Sequence, residues 1–210
     1  DHLQRTSLLD RKELESHLNF SLGKQCFLIT YHPVTLNELP PANALQNLLD
    51  ALDSFLDVKI ILTYPNADTF GRSLIPQIQA YAEERPDRIL LSSSLGQLLY
   101  LSALREVDLV VGNSSSGLVE APSFCTPTIN IGKRQQGRIR AESVIDCEES
   151  ADDIKKAITK ALSNGFQEKT QKTINPYAKS DTAQRILSQL KNISLKGLLV
   201  KNFYDIPSQS

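Results

Sequence analysis

Short apolar runs alternate along this chain with longer segments in which apolar residues recur every three or four positions. Within each run the apolarity is continuous, which is typical of strands that are covered on both faces, as in a parallel sheet. The regular succession of strands and helices predicts right-handed βαβ units and an α/β fold with a doubly wound, mostly parallel, Rossmann-like sheet. The runs lie at residues 26–31, 58–64, 88–93, 108–112, 127–131 and 143–146.

Helical spacing predicts the connections between these strands. Leucines from Leu45 to Leu52 recur on one helical face, and Pro40-Pro41 are placed to begin that helix. Ala121-Pro122 restricts the helix after the fourth strand to a short one. Further helices are predicted at residues 73–84, 95–105 and 150–163.

The two ends of the chain differ from its middle. Asp10, with Glu13 at capping-box spacing, predicts an N-terminal helix. Residues 164–181 are polar and turn-rich, and the spacing of Ile186 and Leu190 predicts an amphipathic helix. We therefore predict three segments. Residues 1–24 form a linker with an N-terminal helix, residues 25–190 form a Rossmann-like domain, and residues 191–210 form a tail that docks on a further domain.

Composition excludes several classes of function. The 210 residues carry 23 Lys and Arg against 24 Asp and Glu, so the net charge of −1 gives no general attraction to nucleic acid or membranes. No apolar run approaches the roughly 18 residues that span a bilayer. Cys26, Cys125 and Cys147 have no CxxC spacing, which argues against a zinc site or disulfides and favours a reducing, cytoplasmic location. A start at Asp1 and the lack of methionine indicate a fragment of a longer protein.

The junction GNSSSG at residues 112–117, between the fourth strand and a helix, carries the strongest chemical signal. Glycines let the backbone turn tightly and approach a ligand, and hydroxyls with the first N–H groups of a helix favour an anion. Ser114, Ser115 and Ser116 are therefore candidate phosphate ligands, with Asn113 and Gly117 as possible additions. A serine at a helix start is also a common N-cap, but one serine would serve that purpose.

Other polar groups are expected at the same edge of the sheet. If the strand order is 3-2-1-4-5-6, His32 at the end of the first strand faces the GNSSSG junction across the switch point, where doubly wound sheets bind ligands. His32 is a candidate for phosphate contact or proton transfer, the alternative being a loop-capping histidine. Glu120 suits a ribose diol or simply stabilises a helix start. Asn66 and Asp68 are base or ribose contacts or turn formers.

The loop after the fifth strand is basic. Arg134 and Arg138, with Lys133 and Arg140, suit phosphate recognition, although a solvated basic loop is the alternative interpretation. No GxGxxG, no GxxxxGK[ST] and no metal-ligand cluster occurs, so neither a Rossmann dinucleotide site nor an ATPase P-loop is predicted, and no cofactor or metal is expected.

Four segments together resemble the UDP-N-acetylglucosamine 2-epimerases: YHPVT, PNAD, GNSSSGLVEAPSF and PTINIGKRQQGRIRAESV, at residues 31–35, 65–68, 112–124 and 127–144. Non-hydrolysing relatives have HR-x-EN and DSGG where this chain has HPVT and NSSSG. The difference indicates the hydrolysing branch, which feeds sialic-acid-type sugar synthesis and releases UDP and N-acetylmannosamine.

The resemblance implies the C-terminal, nucleotide-binding half of a GT-B architecture. By motif position, Ser114 and Ser115 hold the UDP phosphates, Glu120 the ribose, and Asn66 and Arg134 further parts of the nucleotide. His32 faces the diphosphate and assists catalysis. The implied reaction is anti elimination of UDP to a 2-acetamidoglucal, then hydration with inversion at C2, by carboxylates mainly of an N-terminal domain.

The resemblance has departures and leaves alternatives. Cys125 replaces the glycine of SFG-x-P, and NPYAKSD stands where the family has YGDG. The full-length enzyme is expected to be a homo-oligomer, and this chain alone is expected to be inactive. The alternatives are an epimerase acting on a UDP-2,4-diacetamido-trideoxy sugar, the C-terminal half of a GT-B glycosyltransferase, or a non-enzymatic sensor of a nucleotide-sugar.

Overall fold

Six parallel strands form one sheet in the order β3-β2-β1-β4-β5-β6. This computed structural model describes residues 6–34, 39–66, 70–194 and 197. The order confirms the expected 3-2-1-4-5-6 arrangement, so β1 and β4 are neighbours at the switch point. The strands are β1 Cys26–Thr30, β2 Lys59–Thr63, β3 Ile89–Ser92, β4 Leu109–Gly112, β5 Thr128–Ile131 and β6 Val144–Cys147.

Burial explains why the strands are continuous apolar runs. Every residue of β1, β4 and β5 is buried, because helices cover both faces of the sheet, whereas the edge strands β3 and β6 are partly exposed. The helices are α1 Arg11–Leu18, α2 Pro41–Leu52, α3 Gly71–Glu83, α4 Gly96–Glu106, α5 Ser116–Val119, α6 Ala151–Ala161, α7 Asn164–Thr170 and α8 Thr182–Asn192, with a 3-10 turn at Ala121–Phe124.

The predicted N-terminal cap is confirmed. The Asp10 carboxylate accepts from the Glu13 N–H at 2.9 Å, and the Glu13 carboxylate accepts from the Asp10 N–H at 2.9 Å. This capping box starts α1, whose Leu14 is fully buried. The preceding segment is held to α4, because Arg105 donates to the Leu9 carbonyl at 2.7 Å and the Leu9 N–H donates to Ser102 Oγ at 3.0 Å.

One helix was not expected from the pattern. α7 lies in the segment predicted to be polar and turn-rich. Phe166 packs against the core and Thr170 is fully buried, while the residues between them are partly or fully exposed. Two inward positions in seven residues give too little apolar periodicity for the sequence to indicate a helix.

The chain divides into two compact units, residues 6–178 and a second unit that includes α8. The amphipathic helix predicted around Ile186 is α8, in which Ile186, Leu187 and Leu190 are all exposed. The predicted tail lies outside the described residues beyond position 194, except for Gly197. Among the described residues no helix is long and apolar enough to cross a bilayer.

Candidate functional site

The carboxyl ends of β1 and β4 meet at a position that only glycine can fill. Thr30 and Gly112 are paired in register. Gly112 has a φ of 141°, and a Cβ there would lie 1.9 Å from the Thr30 carbonyl oxygen. Glycine therefore lets the chain turn out of β4 in contact with β1, which brings the serine residues beside the loop that follows β1.

Asn113 joins the two loops. Its side-chain oxygen accepts from the His32 N–H at 2.7 Å, and its amide nitrogen donates to the His32 carbonyl at 2.7 Å. Its own carbonyl accepts from Arg134 at 3.1 Å and from Gln135 at 2.8 Å. Asn113 is fully buried. The side-chain amide thus positions His32, and the carbonyl brings the basic loop to the same place.

His32 is buried and has a defined orientation. Its Nδ1 accepts from the Asn66 N–H at 3.0 Å. Because a backbone N–H can only donate, the neutral imidazole carries its proton on Nε2. Asn66 itself is exposed, so it lies at the protein surface next to the buried His32. The predicted partner Asp68 lies outside the described residues.

The three serines differ in exposure. Ser114 and Ser115 are partly exposed, whereas Ser116 is buried and begins the single-turn α5. The Ser116 N–H donates to Ser114 Oγ at 3.4 Å. At the next position, a Cβ on Gly117 would lie 2.6 Å from Thr128 Cγ2, so this glycine allows α5 to pack on β5. The packing alone accounts for a glycine there.

The basic loop after β5 contributes one arginine, Arg134, to the group around Asn113. Arg134 is exposed except for its hydrogen bond to Asn113. Arg140 instead pairs with Asp146 at 3.0 Å and also donates to the Arg138 carbonyl. Arg138 is exposed. The structure therefore brings together His32, Asn66, Ser114, Ser115 and Arg134, and it places Arg138 further along an exposed loop.

The sequence matches the UDP-N-acetylglucosamine 2-epimerase family over residues 1–191. The chain belongs to this family. It is 37% identical over 205 residues to a GDP/UDP-N,N'-diacetylbacillosamine 2-epimerase (hydrolyzing) of Campylobacter jejuni, covering 97% of this chain and 53% of the relative. It is 30% identical over 195 residues to the UDP-N,N'-diacetylbacillosamine 2-epimerase (hydrolyzing) of Legionella pneumophila, covering 93% and 50%. The chain spans about half the length of the curated relatives it matches.

A solved structure supports the fold. The UDP-GlcNAc 2-epimerase from Neisseria meningitidis, determined bound to UDP-GlcNAc, superimposes with a TM-score of 0.62 at 16% identity, over 86% of this chain and 47% of that chain. At this identity the likeness concerns the fold alone. It confirms the doubly wound sheet of a GT-B half, and the family match confirms the resemblance seen in the motifs.

Cys125, at the position where the resemblance implies a glycine, lies in an unusual backbone conformation. Cys125 has a φ of 54°, in the left-handed region that glycine adopts without strain. Its Sγ donates to the Gln171 carbonyl at 3.6 Å, which ties the turn before β5 to α7. The cysteine therefore adopts, at the position where the resemblance implies a glycine, a backbone conformation that glycine favours.

Two residues beside these loops, the buried Gln135 and the partly exposed Tyr100, were missed in the sequence. Gln135 donates to the Asn113 carbonyl, and Tyr100 on α4 places its hydroxyl near Ser116, Thr30 and Ser114. Burial raises the pKa of Tyr100, Glu120 adds to that rise, and the hydroxyls oppose it. The helix that precedes β4 begins at the carboxyl edge of a parallel sheet, so residues in its first turns lie near the ends of the strands. This topology could have indicated Tyr100 from the sequence.

A separate cavity adjoins the basic loop. Its volume is about 310 Å³, and it lies at the carboxyl ends of β5 and β6. Its lining carries charges of both signs, from Lys133, Arg140, Asp146 and Glu148. Within the described ranges no group of three or more His, Cys, Asp or Glu side chains is arranged to hold a metal ion.

Proposed function

We propose that this chain is the UDP-binding half of a hydrolysing 2-epimerase. The observation that carries the proposal is the convergence of His32, partly exposed serine hydroxyls and Arg134 around Asn113 at the switch point. Hydroxyl donors, a guanidinium group and an imidazole N–H are the groups that recognise a diphosphate. Membership in the 2-epimerase family makes UDP the expected nucleotide.

Each residue has a proposed role. Ser114 and Ser115 donate to the phosphates, and Arg134 provides charge-assisted hydrogen bonds to them. His32 donates from Nε2 to the diphosphate, because its Nδ1 is occupied by the Asn66 N–H. Glu120, one turn beyond Ser116, accepts from the ribose hydroxyls.

The proposed reaction of the full-length protein converts UDP-N-acetylglucosamine and water to N-acetylmannosamine and UDP. A base removes the proton from C2 while the bond from C1 to the UDP oxygen breaks, which gives a 2-acetamidoglucal. Water then adds across the double bond with inversion at C2. The described residues would act on the leaving group, since hydrogen bonds from His32, Ser114 and Arg134 stabilise the charge that develops on the β-phosphate.

A second substrate is favoured by the relatives. Both hydrolysing relatives reported above, at 37% and 30% identity, are named for diacetylbacillosamine. A UDP-2,4-diacetamido-trideoxy sugar differs from UDP-N-acetylglucosamine in the sugar, while its UDP makes the same contacts. The proposed nucleotide site therefore serves either substrate, and the sugar contacts belong to the other half of the enzyme.

The remaining proposals concern the whole protein. We propose that the C-terminal tail docks on an N-terminal domain, that the full-length enzyme is a cytoplasmic homo-oligomer, and that this chain alone binds UDP without turnover. The half-length coverage of the relatives supports a further domain, and with it the docking tail and the lack of turnover by this chain alone.

Titration of UDP into the chain by calorimetry tests the nucleotide site. We expect saturable binding that weakens about tenfold in Ser115→Ala and in Glu120→Ala, because each loses a hydrogen bond to a charged or vicinal-diol group. Glu168→Ala, an exposed carboxylate on α7, is the matched control and should bind as the parent does. Absence of binding at millimolar UDP would overturn the proposal.

Activity of the full-length protein distinguishes the reactions. Both UDP-sugars are offered without an acceptor, and free sugar and UDP are quantified by chromatography. Release of a 2-epimerised sugar supports the epimerase and identifies the preferred substrate. Sugar transfer that requires an acceptor would instead show a glycosyltransferase.

A further inference from the structure

The basic loop joins β5 to β6 over residues 132–143, and its position decides where Arg134 lies. Arg134 and Gln135 both donate to the Asn113 carbonyl, at 3.1 Å and 2.8 Å. Gln135 is buried, whereas Arg134 is exposed and makes this one hydrogen bond within the described part of the chain. The Arg134 guanidinium therefore has donors available for an anion, provided that the loop stays against the GNSSSG junction.

Burial does little to hold this loop in place. Between Gly132 and Ala141 the only buried residue is Gln135. A surface segment with so little buried area gains little free energy from packing, while its ordering still costs conformational entropy. The loop therefore depends on polar contacts to keep one conformation.

Arg140 provides these contacts. Its Nη1 donates to the Gln135 carbonyl at 3.0 Å and to the Arg138 carbonyl. Its Nε and Nη2 donate to the Asp146 carboxylate at 3.0 Å and 3.3 Å. These bonds use four of the five guanidinium N–H groups, so Arg140 has little left to offer a phosphate. One side chain thus ties two carbonyls of the loop to a residue of β6.

Asp146 is itself held by the sheet. Asn130 Nδ2 donates to Asp146 Oδ1 at 2.6 Å, and the two residues are paired in register on β5 and β6. Asn130 is buried. Because Asp146 is fixed, the Arg140 guanidinium that it holds is fixed too, and with it the Gln135 carbonyl. An unbroken series of polar contacts therefore joins the sheet to the basic loop.

We propose that Arg140 is a positioning residue, which holds the basic loop closed so that Arg134 presents its guanidinium to the UDP phosphates. The inference rests on the proposed UDP-binding function. In this assignment Arg134 binds phosphate and Arg140 does not. Without the Arg140 contacts the loop would populate open conformations, and UDP affinity would fall with the fraction of molecules in which the loop is closed.

Arg140→Ala tests the proposal, because it removes the contacts to Asp146 and to the loop carbonyls. Calorimetry should show UDP affinity lowered about threefold to tenfold, which corresponds to a closed fraction of about one third to one tenth. In an Arg134→Ala background the same substitution should have no further effect on UDP affinity, because Arg140 acts through Arg134. If Arg140 bound a phosphate itself, or if its loss disturbed the whole site, the two losses would add.

Arg140→Lys separates position from charge. Lysine keeps the positive charge, but it cannot bond a carboxylate and two carbonyls in the geometry of a planar guanidinium. We therefore expect Arg140→Lys to lose as much UDP affinity as Arg140→Ala. Retention of the parent affinity in Arg140→Lys would show that charge near the phosphates is sufficient, and it would overturn the positioning role.

Arg105→Ala is the matched control. Arg105, near the end of α4, donates to the Glu106 carboxylate at 2.8 Å and to the Leu9 carbonyl at 2.7 Å, so it also ties a carboxylate to a backbone carbonyl. Its substitution should leave UDP affinity unchanged. An equal loss of affinity in Arg105→Ala and Arg140→Ala would contradict a specific role of Arg140.

The outcomes distinguish this inference from the proposed function. If the parent chain binds no UDP, the proposed function fails and the inference fails with it. If the parent binds UDP and Arg140→Ala binds it equally well, only the inference fails. Only the inference fails, too, if the losses of Arg140→Ala and Arg134→Ala add.

Discussion

One polar cluster at the amino edge of the sheet and one at its carboxyl edge use their side chains in opposite ways. At the amino edge, Asp53 accepts from Tyr81 at 2.7 Å, from Arg85 at 3.0 Å and from Arg88 at 3.1 Å. At the carboxyl edge, buried oxygens of Ser116, Asn130 and Gln135 have no hydrogen-bond partner among the described residues. A saturated network stabilises the fold, while unsatisfied groups and outward donors remain available to a ligand.

The arginines of the two edges show the same contrast. Arg88 donates to the carbonyls of Leu52, Val58 and Phe55 as well as to Asp53, and its side chain is only 13% exposed. Arg134 makes one hydrogen bond, to Asn113, and is exposed. The first arginine is a structural cross-link between chain segments, and the second is held in place with most of its donors available.

The largest expected effect comes from Gly112, at the carboxyl edge, where the chain leaves β4 against the end of β1. Gly112→Ala should lower the free energy of unfolding by roughly 3–5 kcal/mol, because the new Cβ meets the Thr30 carbonyl and the φ of 141° is strained for alanine. Urea unfolding measures the loss. Gly137→Ala is the control, with a φ of 81° and nothing within 4 Å of the new Cβ, and should lose about 1 kcal/mol. Equal losses would contradict the close approach of β1 and β4.

Substitution of the two arginines should separate stability from binding. Arg88→Ala removes the Arg88 hydrogen bonds to three carbonyls and one of the three donors to Asp53, so the free energy of unfolding should fall by about 2–3 kcal/mol while the folded protein binds UDP normally. Arg134→Ala should change unfolding by less than about 1 kcal/mol and weaken UDP binding about tenfold. Urea unfolding and calorimetry measure the two quantities. If both variants lose mainly stability, or both lose mainly UDP binding, the contrast between the two arginines is wrong.

The smallest expected effect is the response of one thiol at each edge to pH. Burial, reinforced by nearby carboxylates, raises the pKa of Cys26 and of Cys147 from 9.0 to about 12. A raised pKa stabilises the folded state below pH 9, and this stabilisation is lost as pH rises towards 12.

At pH 10 each thiol should therefore reduce stability by about 1 kcal/mol relative to pH 8, because only the unfolded state ionises. Urea unfolding at both pH values measures this effect. Between pH 8 and pH 10 the free energy of unfolding should decrease less in Cys26→Ala and in Cys147→Ala than in the parent. A decrease identical to that of the parent in Cys147→Ala would mean that the carboxyl edge leaves its thiol in ordinary solvent.

Much of the fold was predictable because its signals are local or periodic. Continuous apolar runs identified all six strands, and Asp10 with Glu13 identified a capping box that the structure confirms. The common 3-2-1-4-5-6 order was a conditional expectation, and the structure confirms it, which places His32 opposite the GNSSSG junction. α7 was missed because only Phe166 and Thr170 face inwards in a polar segment.

Sequence by itself therefore determined the six strands, the helices other than α7, the family and the edge at which the candidate ligands gather. Only the tertiary structure showed what each polar atom does there. The Asn113 amide bonds to the His32 backbone, the Asn113 carbonyl accepts from Arg134 and Gln135, and Gly117 packs against Thr128. Periodicity reports which face of an element is buried, but a hydrogen-bond partner far away in the chain depends on distances that exist only after the elements have packed.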